Sequence, residues 1–210
     1  MSDSPSESLL GTAYNLETGD QTLDHYQRWA ETYDQEVGVD NGYKQPARCA
    51  AALAGVADPC GHVLDVGCGT GLSGVALRDV GFTRLDGCDF SSPMLERATE
   101  TGVYRQLFKA DLNTGLDADD DTYDHAVAVG VFSFGHIRPD ALREVLRVVR
   151  PGGAVVVGVN DHFWDTGELS AELEAIEADG LASVASREHG EHLPGAAIMG
   201  WVIVLVRPAS

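Results

Sequence analysis

The sequence predicts an α/β fold in which a mainly parallel sheet is covered by helices on both faces. From about residue 62 onward, strand-like and helix-like segments alternate, and the strand-like segments are nearly continuous apolar runs. Such runs are typical of strands buried on both faces, as in parallel sheets sandwiched between helices. Sheets of this kind bind ligands beyond the carboxyl ends of their strands. We therefore expect the functional residues directly after each strand.

Seven strands are expected along the chain. Their predicted bounds are 62–67, 85–89, 104–110, 123–131, 154–159, 181–187 and 198–206. The fifth strand consists mostly of valine, a β-branched residue that favours strands and indicates burial on both faces.

Helices are expected before and between these strands. Apolar residues recur at three- and four-residue steps from Leu23 to Val37, which predicts an amphipathic helix that ends at Gly38. Further helices are predicted over 44–55, 72–81, 92–102, 142–150 and 165–179. The last of them is predicted to begin with a capping box formed by Asp165 and Glu168.

The composition indicates one globular domain with a strong negative charge. Hydrophobic residues make up 44% of the 210, and no apolar run reaches the roughly 20 residues of a membrane span. The formal net charge is −19, which repels phosphate backbones and anionic lipid surfaces. We expect a small or cationic ligand, no nucleic acid, no membrane and, without a basic signal sequence, a cytoplasmic location. The oligomeric state stays open.

Three parts of the chain are expected to differ in role. Residues 1–20 are rich in Ser and Glu and lack any period, which predicts a mobile tail. Residues 61–210 form the core domain, and no further domain is inserted between its strands. Residues 21–60 are then the segment that can cover the site as a helical lid. Its aromatic wall is expected to comprise Trp29, Tyr33 and Tyr43.

The segment VLDVGCGTG, residues 63–71, is the strongest candidate for a binding loop. Closely spaced glycines let the chain turn from strand to helix and let a ligand approach the backbone. Glycines alone do not identify the ligand, because residues 69–74 also fit the GxGxxG pattern of dinucleotide enzymes. Asp65 is more informative. A carboxylate in an apolar strand needs donors or a cation, repels pyrophosphate and favours a ligand with an ammonium group.

Acidic residues also end the next two strands. Asp89 is placed to accept both hydroxyls of a ribose, and Asp111 ends the third strand. Phe90 offers an apolar ring to a purine, and Met94 can close over it. Taken singly, Asp89 fits a helix cap and Asp111 a turn equally well. Their joint placement favours a nucleoside ligand.

These motifs, in this order, resemble those of the class I S-adenosylmethionine-dependent methyltransferases. The matching segments are VLDVGCGTG, GCDFSSPMLERA, FKADL, YDHAVAVGVFSFGHI and LREVLRVVRPGGAVVVGV. Residues 25–53 further resemble the Williams-Beuren region methyltransferase-like group. The resemblance implies a Rossmann-like, mostly parallel seven-stranded sheet with an antiparallel last strand. It also implies the cofactor S-adenosyl-L-methionine and in-line transfer of its methyl group to a small-molecule acceptor.

The resemblance assigns cofactor contacts by position. The residues concerned are Tyr33, Tyr43, Asp65, Gly67, Cys68, Gly69, Asp89, Phe90, Met94, Asp111, Leu112, Gly130 and Val131. Asp65 and the loop backbone would face the methionine end, as would Gly130 and Val131. Asp89 would hold the ribose hydroxyls, and Asp111 would bond the adenine amino group.

Two alternatives to methyl transfer stay open. An NAD(P)-dependent oxidoreductase shares the fold class and the glycines, although Asp65, Asp111 and the lack of a Ser/Tyr-x-x-x-Lys arrangement count against it. A non-catalytic cofactor-binding protein is the other. His136, after the fourth strand, is the candidate catalytic base, and an ordinary polar residue fits that position as well.

No metal site is predicted. His189 and His192, with Glu191 between them, are expected in a solvated polar loop. The four cysteines are expected to be reduced thiols in the core.

Overall fold

One seven-stranded sheet organises the computed structural model, which describes residues 34–133 and 137–209. The strand order is β3-β2-β1-β4-β5-β7-β6. The strands are β1 His62–Val66, β2 Arg84–Asp89, β3 Gln106–Lys109, β4 His125–Val129, β5 Ala154–Asn160, β6 Ser183–Leu193 and β7 Ile198–Val206. Strands β1 to β5 are parallel, and β7 is antiparallel to both β5 and β6. The predicted Rossmann-like sheet with its antiparallel last strand is confirmed.

Helices pack on both faces of the sheet. They are α1 Gln45–Ala54, α2 Leu72–Asp79, α3 Ser92–Glu100, α4 Leu142–Val148, α5 Asp161–Trp164 and α6 Glu168–Ala178, with a π-helix at Asp34–Asp40. On one face, α4 and α6 bury their apolar side chains against β5 and β7. On the other, α1 and α2 pack against β1, β4 and β5. Every residue of β5 is buried, as its valine-rich sequence predicts.

The connections place a crevice between β1 and β4. From β1 the chain proceeds outward through β2 and β3, and β4 then starts the other half of the sheet. The loops that leave β1 and β4 therefore separate in opposite directions, which is where a doubly wound sheet binds its ligand. The two loops are in close contact there, since a Cβ on Gly67 would lie 2.6 Å from Val131 Cγ2.

Several predicted boundaries are wrong. The π-helix passes through Gly38 and ends at Asp40; residues 1–33, with the predicted tail and most of the first helix, lie outside the described residues. The capping box is not formed: α6 begins after Gly167, and the Glu168 N–H is instead bound by the Thr166 hydroxyl. An N-cap residue needs an extended backbone before the helix. Asp165 instead directly follows helix α5, so the sequence pattern predicts the wrong cap.

Candidate active site

The glycine loop after β1 turns sharply into helix α2. Gly67, Gly69 and Gly71 all have positive φ, at 64°, 52° and 97°, a conformation that glycine adopts without strain. Apart from Gly69 and its two chain neighbours, no described residue has an atom within 4 Å of where a Cβ on Gly69 would stand, so that side of the loop backbone is open. A ligand can approach the backbone at this point.

Three amide groups of this loop already donate hydrogen bonds within the protein. The Cys68 N–H donates to the Cys88 carbonyl at 3.0 Å, and the Gly71 N–H donates to the Cys68 carbonyl at 2.9 Å. The Gly69 N–H donates to Asp89 Oδ2 at 2.9 Å. A pyrophosphate would need these N–H groups and would face carboxylates instead. The loop therefore suits a cationic ligand better than a dinucleotide.

Asp65, at the fourth position of β1, is fully buried directly behind this loop. Its Oδ2 accepts hydrogen bonds from Ser73 Oγ and from the Tyr104 hydroxyl, both at 2.6 Å. Its Oδ1 is buried and has no hydrogen-bond partner among the described residues. Burial raises the pKa of Asp65 to about 6, although the two hydrogen bonds lower it. The unpartnered oxygen fits a donor supplied from outside the chain.

Asp89 ends β2 on the other side of the glycine loop. Its Oδ1 accepts the Ser91 N–H at 2.8 Å, and its Oδ2 accepts the Gly69 N–H. Burial raises the pKa of this carboxyl, against the hydrogen bonds from the backbone. A carboxylate offers about four acceptor positions, so Asp89 can fix the loop and still accept a further hydrogen bond from a ligand. The cap interpretation and the ribose interpretation are compatible.

The residues predicted around the adenine are placed unequally. Asp111 is exposed just beyond β3, where its Oδ1 accepts the Asn113 N–H at 3.0 Å in a turn. Phe90 is half-buried, whereas Met94 and Leu112 are almost fully buried. Among these four residues, Asp111 and Phe90 therefore have the larger exposed surface for contact with an adenine ring. Met94 and Leu112 can contact such a ring only through the few atoms that remain accessible.

Tyr43 lies across the end of β4. A Cβ on Gly130 would stand 2.7 Å from the Tyr43 hydroxyl, so this glycine makes room for the phenol. Tyr43 also lines a small recess beside the glycine loop, whose other walls are Pro46, Gly67, Cys68, Thr70, Leu72, Ser73 and Val129. The structure thus brings Tyr43, Gly67 and Cys68 to one place. Tyr33, Trp29 and His136 lie outside the described residues and stay predictions.

His189, Glu191 and His192 belong to strand β6 and not to the predicted solvated loop. The strand extends six residues further at its C-terminal end than its apolar residues predict. His192 is buried, with its ring 5.0 Å from Tyr43, and burial lowers its pKa to about 4. His189 Nε2 lies 2.9 Å from Asp161 Oδ2, just after β5, and its ring is 4.8 Å from that of Trp201. Within the described ranges, no group of three or more His, Cys, Asp or Glu side chains is arranged to hold a metal ion.

Ser73 and Tyr104, which no sequence pattern singles out, donate hydrogen bonds to the Asp65 carboxylate. The sequence predicts Tyr104 as the first residue of β3, but that strand begins at Gln106. A signal was present in the glycines at 74 and 87, which neither the helix nor the strand requires. Cys60, expected in the core, is exposed, and the other three thiols are buried.

Known proteins share this sequence and this fold. Residues 63–153 match the family described as methyltransferase domain. Human methyltransferase-like protein 27 is 34% identical over 168 residues, which cover 77% of this chain and 68% of that protein. Phosphatidylethanolamine N-methyltransferase of Cereibacter sphaeroides is 37% identical over 158 residues, 72% of this chain and 73% of that protein.

The chain belongs to the class I S-adenosylmethionine-dependent methyltransferases. A solved methyltransferase in complex with the Haloferax volcanii Trm112 methyltransferase activator has the same fold, with a TM-score of 0.70 at 21% identity. That match covers 90% of this chain and 98% of the other. Methyl transfer with S-adenosylmethionine therefore replaces the oxidoreductase alternative. Across the described part of this methyltransferase, no helix is both long and apolar enough to cross a membrane.

Proposed function

We propose that this methyltransferase acts on a small-molecule acceptor that is enclosed beside the glycine loop. The net charge of −19 supports this acceptor class, because it opposes binding to a phosphate backbone or an anionic membrane. The Cereibacter relative carries the name of a lipid with an amine headgroup, so a lipid amine is the principal rival.

The observation that carries the cofactor assignment is the unpartnered Oδ1 of Asp65. We assign it to the ammonium group of S-adenosylmethionine, reached directly or through one bridging water. Asp89 would accept the ribose hydroxyls and Asp111 the adenine amino group, with Phe90, Met94 and Leu112 against the ring. The loop backbone of Gly67, Cys68 and Gly69 would border the methionine part, together with Tyr43, Gly130 and Val131.

When bound, the cofactor supplies a methyl group that its sulfonium has already activated. The protein then needs mainly to orient the acceptor and to exclude water, which contributes on the order of 7 to 11 kcal/mol in favourable cases. A base is required only if the acceptor is protonated in its reactive form. His136 remains the predicted base for that case.

We further propose that residues 21–60 form a lid and residues 61–210 the core domain. The described part of the lid contacts both the glycine loop and the end of β4. Asp34 Oδ1 accepts a hydrogen bond from the buried Thr70 hydroxyl at 2.5 Å, and Tyr43 covers the end of β4 next to Gly130. A lid held against the loop in this way supports a small, enclosed acceptor and excludes water from the site.

The test is product formation from labelled S-adenosylmethionine with two sets of acceptors. The first set contains small amines, phenols, thiols and carboxylates, and the second contains phosphatidylethanolamine vesicles and structured RNA. Turnover with members of the first set alone supports the proposal. Turnover only with vesicles or RNA contradicts it.

A further inference from the structure

Tyr104 reaches Asp65 through a slot formed by three glycines. A Cβ on Gly74 would lie 2.3 Å from the Tyr104 hydroxyl oxygen, one on Gly87 would lie 3.0 Å from its ring, and one on Gly71 would lie 3.3 Å from it. Gly87 is the β2 residue in register with Asp65 on β1. The missing side chains therefore let a tyrosine that follows helix α3 pass across β2 to the carboxylate.

The tyrosine hydroxyl links the first turn of helix α2 to the carboxylate. The Gly74 N–H donates to the Tyr104 oxygen at 3.1 Å, and the Tyr104 O–H donates to Asp65 Oδ2 at 2.6 Å. Ser73, from the same helical turn, donates to the same Oδ2. Both bonds stabilise the ionised carboxylate and occupy one oxygen, so that Oδ1 alone is left for a ligand.

We propose that Tyr104, together with Ser73, is a positioning residue that holds Asp65 ionised with Oδ1 reserved for the ammonium group of the cofactor. This inference rests on the proposed contact between Asp65 and the amino-acid part of S-adenosylmethionine. It gives the third glycine of the GxGxxG-like segment, Gly74, the role of admitting a tyrosine.

The pH dependence of binding reports this role. An ammonium group is attracted only by the ionised carboxylate, so affinity falls as pH falls through the pKa of Asp65. Losing a donor raises that pKa, and the midpoint of the affinity loss moves to higher pH. The other titratable groups around Asp65 are Asp89 and the thiols of Cys49, Cys68 and Cys88. Burial raises the pKa of each thiol further above the range of the experiment, and it raises the pKa of Asp89 as well, so Asp89 needs a control of its own.

The experiment compares two ligands by calorimetric titration between pH 5 and 7. S-adenosylmethionine carries the amino-acid part, and 5′-methylthioadenosine lacks it but keeps the ribose and adenine. Binding of the second ligand therefore reports the fold and Asp89 without Asp65. The variants are Tyr104→Phe and Ser73→Ala. Tyr123→Phe is the matched control, a buried tyrosine whose ring packs on His62 at the opposite edge of the sheet.

We expect Tyr104→Phe to weaken S-adenosylmethionine binding about tenfold at pH 7, the effect of one lost hydrogen bond, and to raise the pH midpoint. Ser73→Ala should act in the same direction. Neither variant should change the affinity for 5′-methylthioadenosine, and Tyr123→Phe should change neither affinity.

Two results would overturn the inference. One is an unchanged midpoint in both Tyr104→Phe and Ser73→Ala; the other is an equal loss of both ligands, which indicates a purely structural role. A different result would show that the proposed contact between Asp65 and the ammonium group of the cofactor is itself wrong. In the unmodified protein, the ratio of the two affinities would then not change between pH 5 and 7, before any variant is compared.

Discussion

Buried and half-buried carboxylates lie at both ends of the parallel strands, and their hydrogen-bond and charge partners differ. The end at which these strands begin is called the amino edge here, and the end at which they finish is called the carboxyl edge. At the amino edge, Asp86 lies 2.8 Å from His62 Nε2, and Asp124 pairs with Arg150 at 2.6 Å. Burial raises the pKa of Asp124, but the His62 backbone N–H and Arg150 outweigh it and lower the pKa overall. Asp124 thus has a cationic partner within the chain and Asp86 has His62, although Asp86 Oδ1, like Asp65 Oδ1, is buried without a hydrogen-bond partner among the described residues.

At the carboxyl edge, Asp65 and Asp89 receive hydrogen bonds from hydroxyl and amide groups. In residues 34–133 and 137–209, no basic side chain forms an ion pair with either of them, and burial raises both pKa values. Under the proposed cofactor contacts, this difference distinguishes carboxylates that stabilise the fold from carboxylates that bind the ligand. An edge that leaves two carboxylates uncompensated is prepared for a ligand that brings a positive charge and hydroxyl groups.

The largest expected effect is on cofactor binding at the carboxyl edge. Asp65→Asn keeps the shape of the side chain and removes its charge, which should weaken S-adenosylmethionine binding about a hundredfold, or about 3 kcal/mol. Asp86→Asn is the matched change at the amino edge and should leave affinity unchanged. Titration of both variants checks this. Equal losses would show that the two edges do not differ as described.

Asp89→Ala tests the ribose contact. We expect cofactor binding to weaken by roughly 1 to 3 kcal/mol, because two hydroxyls and the Gly69 N–H lose a charged acceptor. Unlike the Asp65 variant, Asp89→Ala should weaken 5′-methylthioadenosine by a similar factor. Titration with that ligand at pH 7 measures it, and an unchanged affinity would contradict the ribose assignment.

The raised pKa of Asp65 also predicts how stability depends on pH. A carboxyl with a raised folded-state pKa destabilises the ionised protein, and the cost disappears as pH falls from about 6 toward the unfolded value of 3.8. As pH falls through that window, the free energy of unfolding of the parent protein should rise relative to that of Asp65→Asn by up to about 1.4 kcal/mol per pH unit. Chemical denaturation measures this difference. A constant difference between the two proteins would contradict the buried, uncompensated charge.

The smallest effect is expected from the exposed ion pair at the amino edge. Arg150→Gln removes the partner of Asp124, and since Arg150 is more than half exposed, the free energy of unfolding should fall by less than about 1 kcal/mol. Affinity for S-adenosylmethionine should not change. Denaturation and titration of the same sample measure both quantities, and a marked loss of affinity would contradict the separation of the two edges.

The strands, the glycine loop and the strand-end acids could be predicted from the sequence because local patterns determine them. Tyr104 could not, since its contact with Asp65 spans 39 residues and depends on the register of β1 against β2. The sequence wrongly predicts His192 in a loop, because the polar residues of an edge strand show no apolar period. Contacts made across the sheet are not encoded in any short segment.

The most direct test of the account is a crystal structure with S-adenosylhomocysteine bound. We predict its amino group within hydrogen-bond distance of Asp65 Oδ1, directly or through one water, and its ribose hydroxyls on Asp89. A ligand whose amino group lies away from Asp65, with Oδ1 still unpartnered, would contradict the central claim.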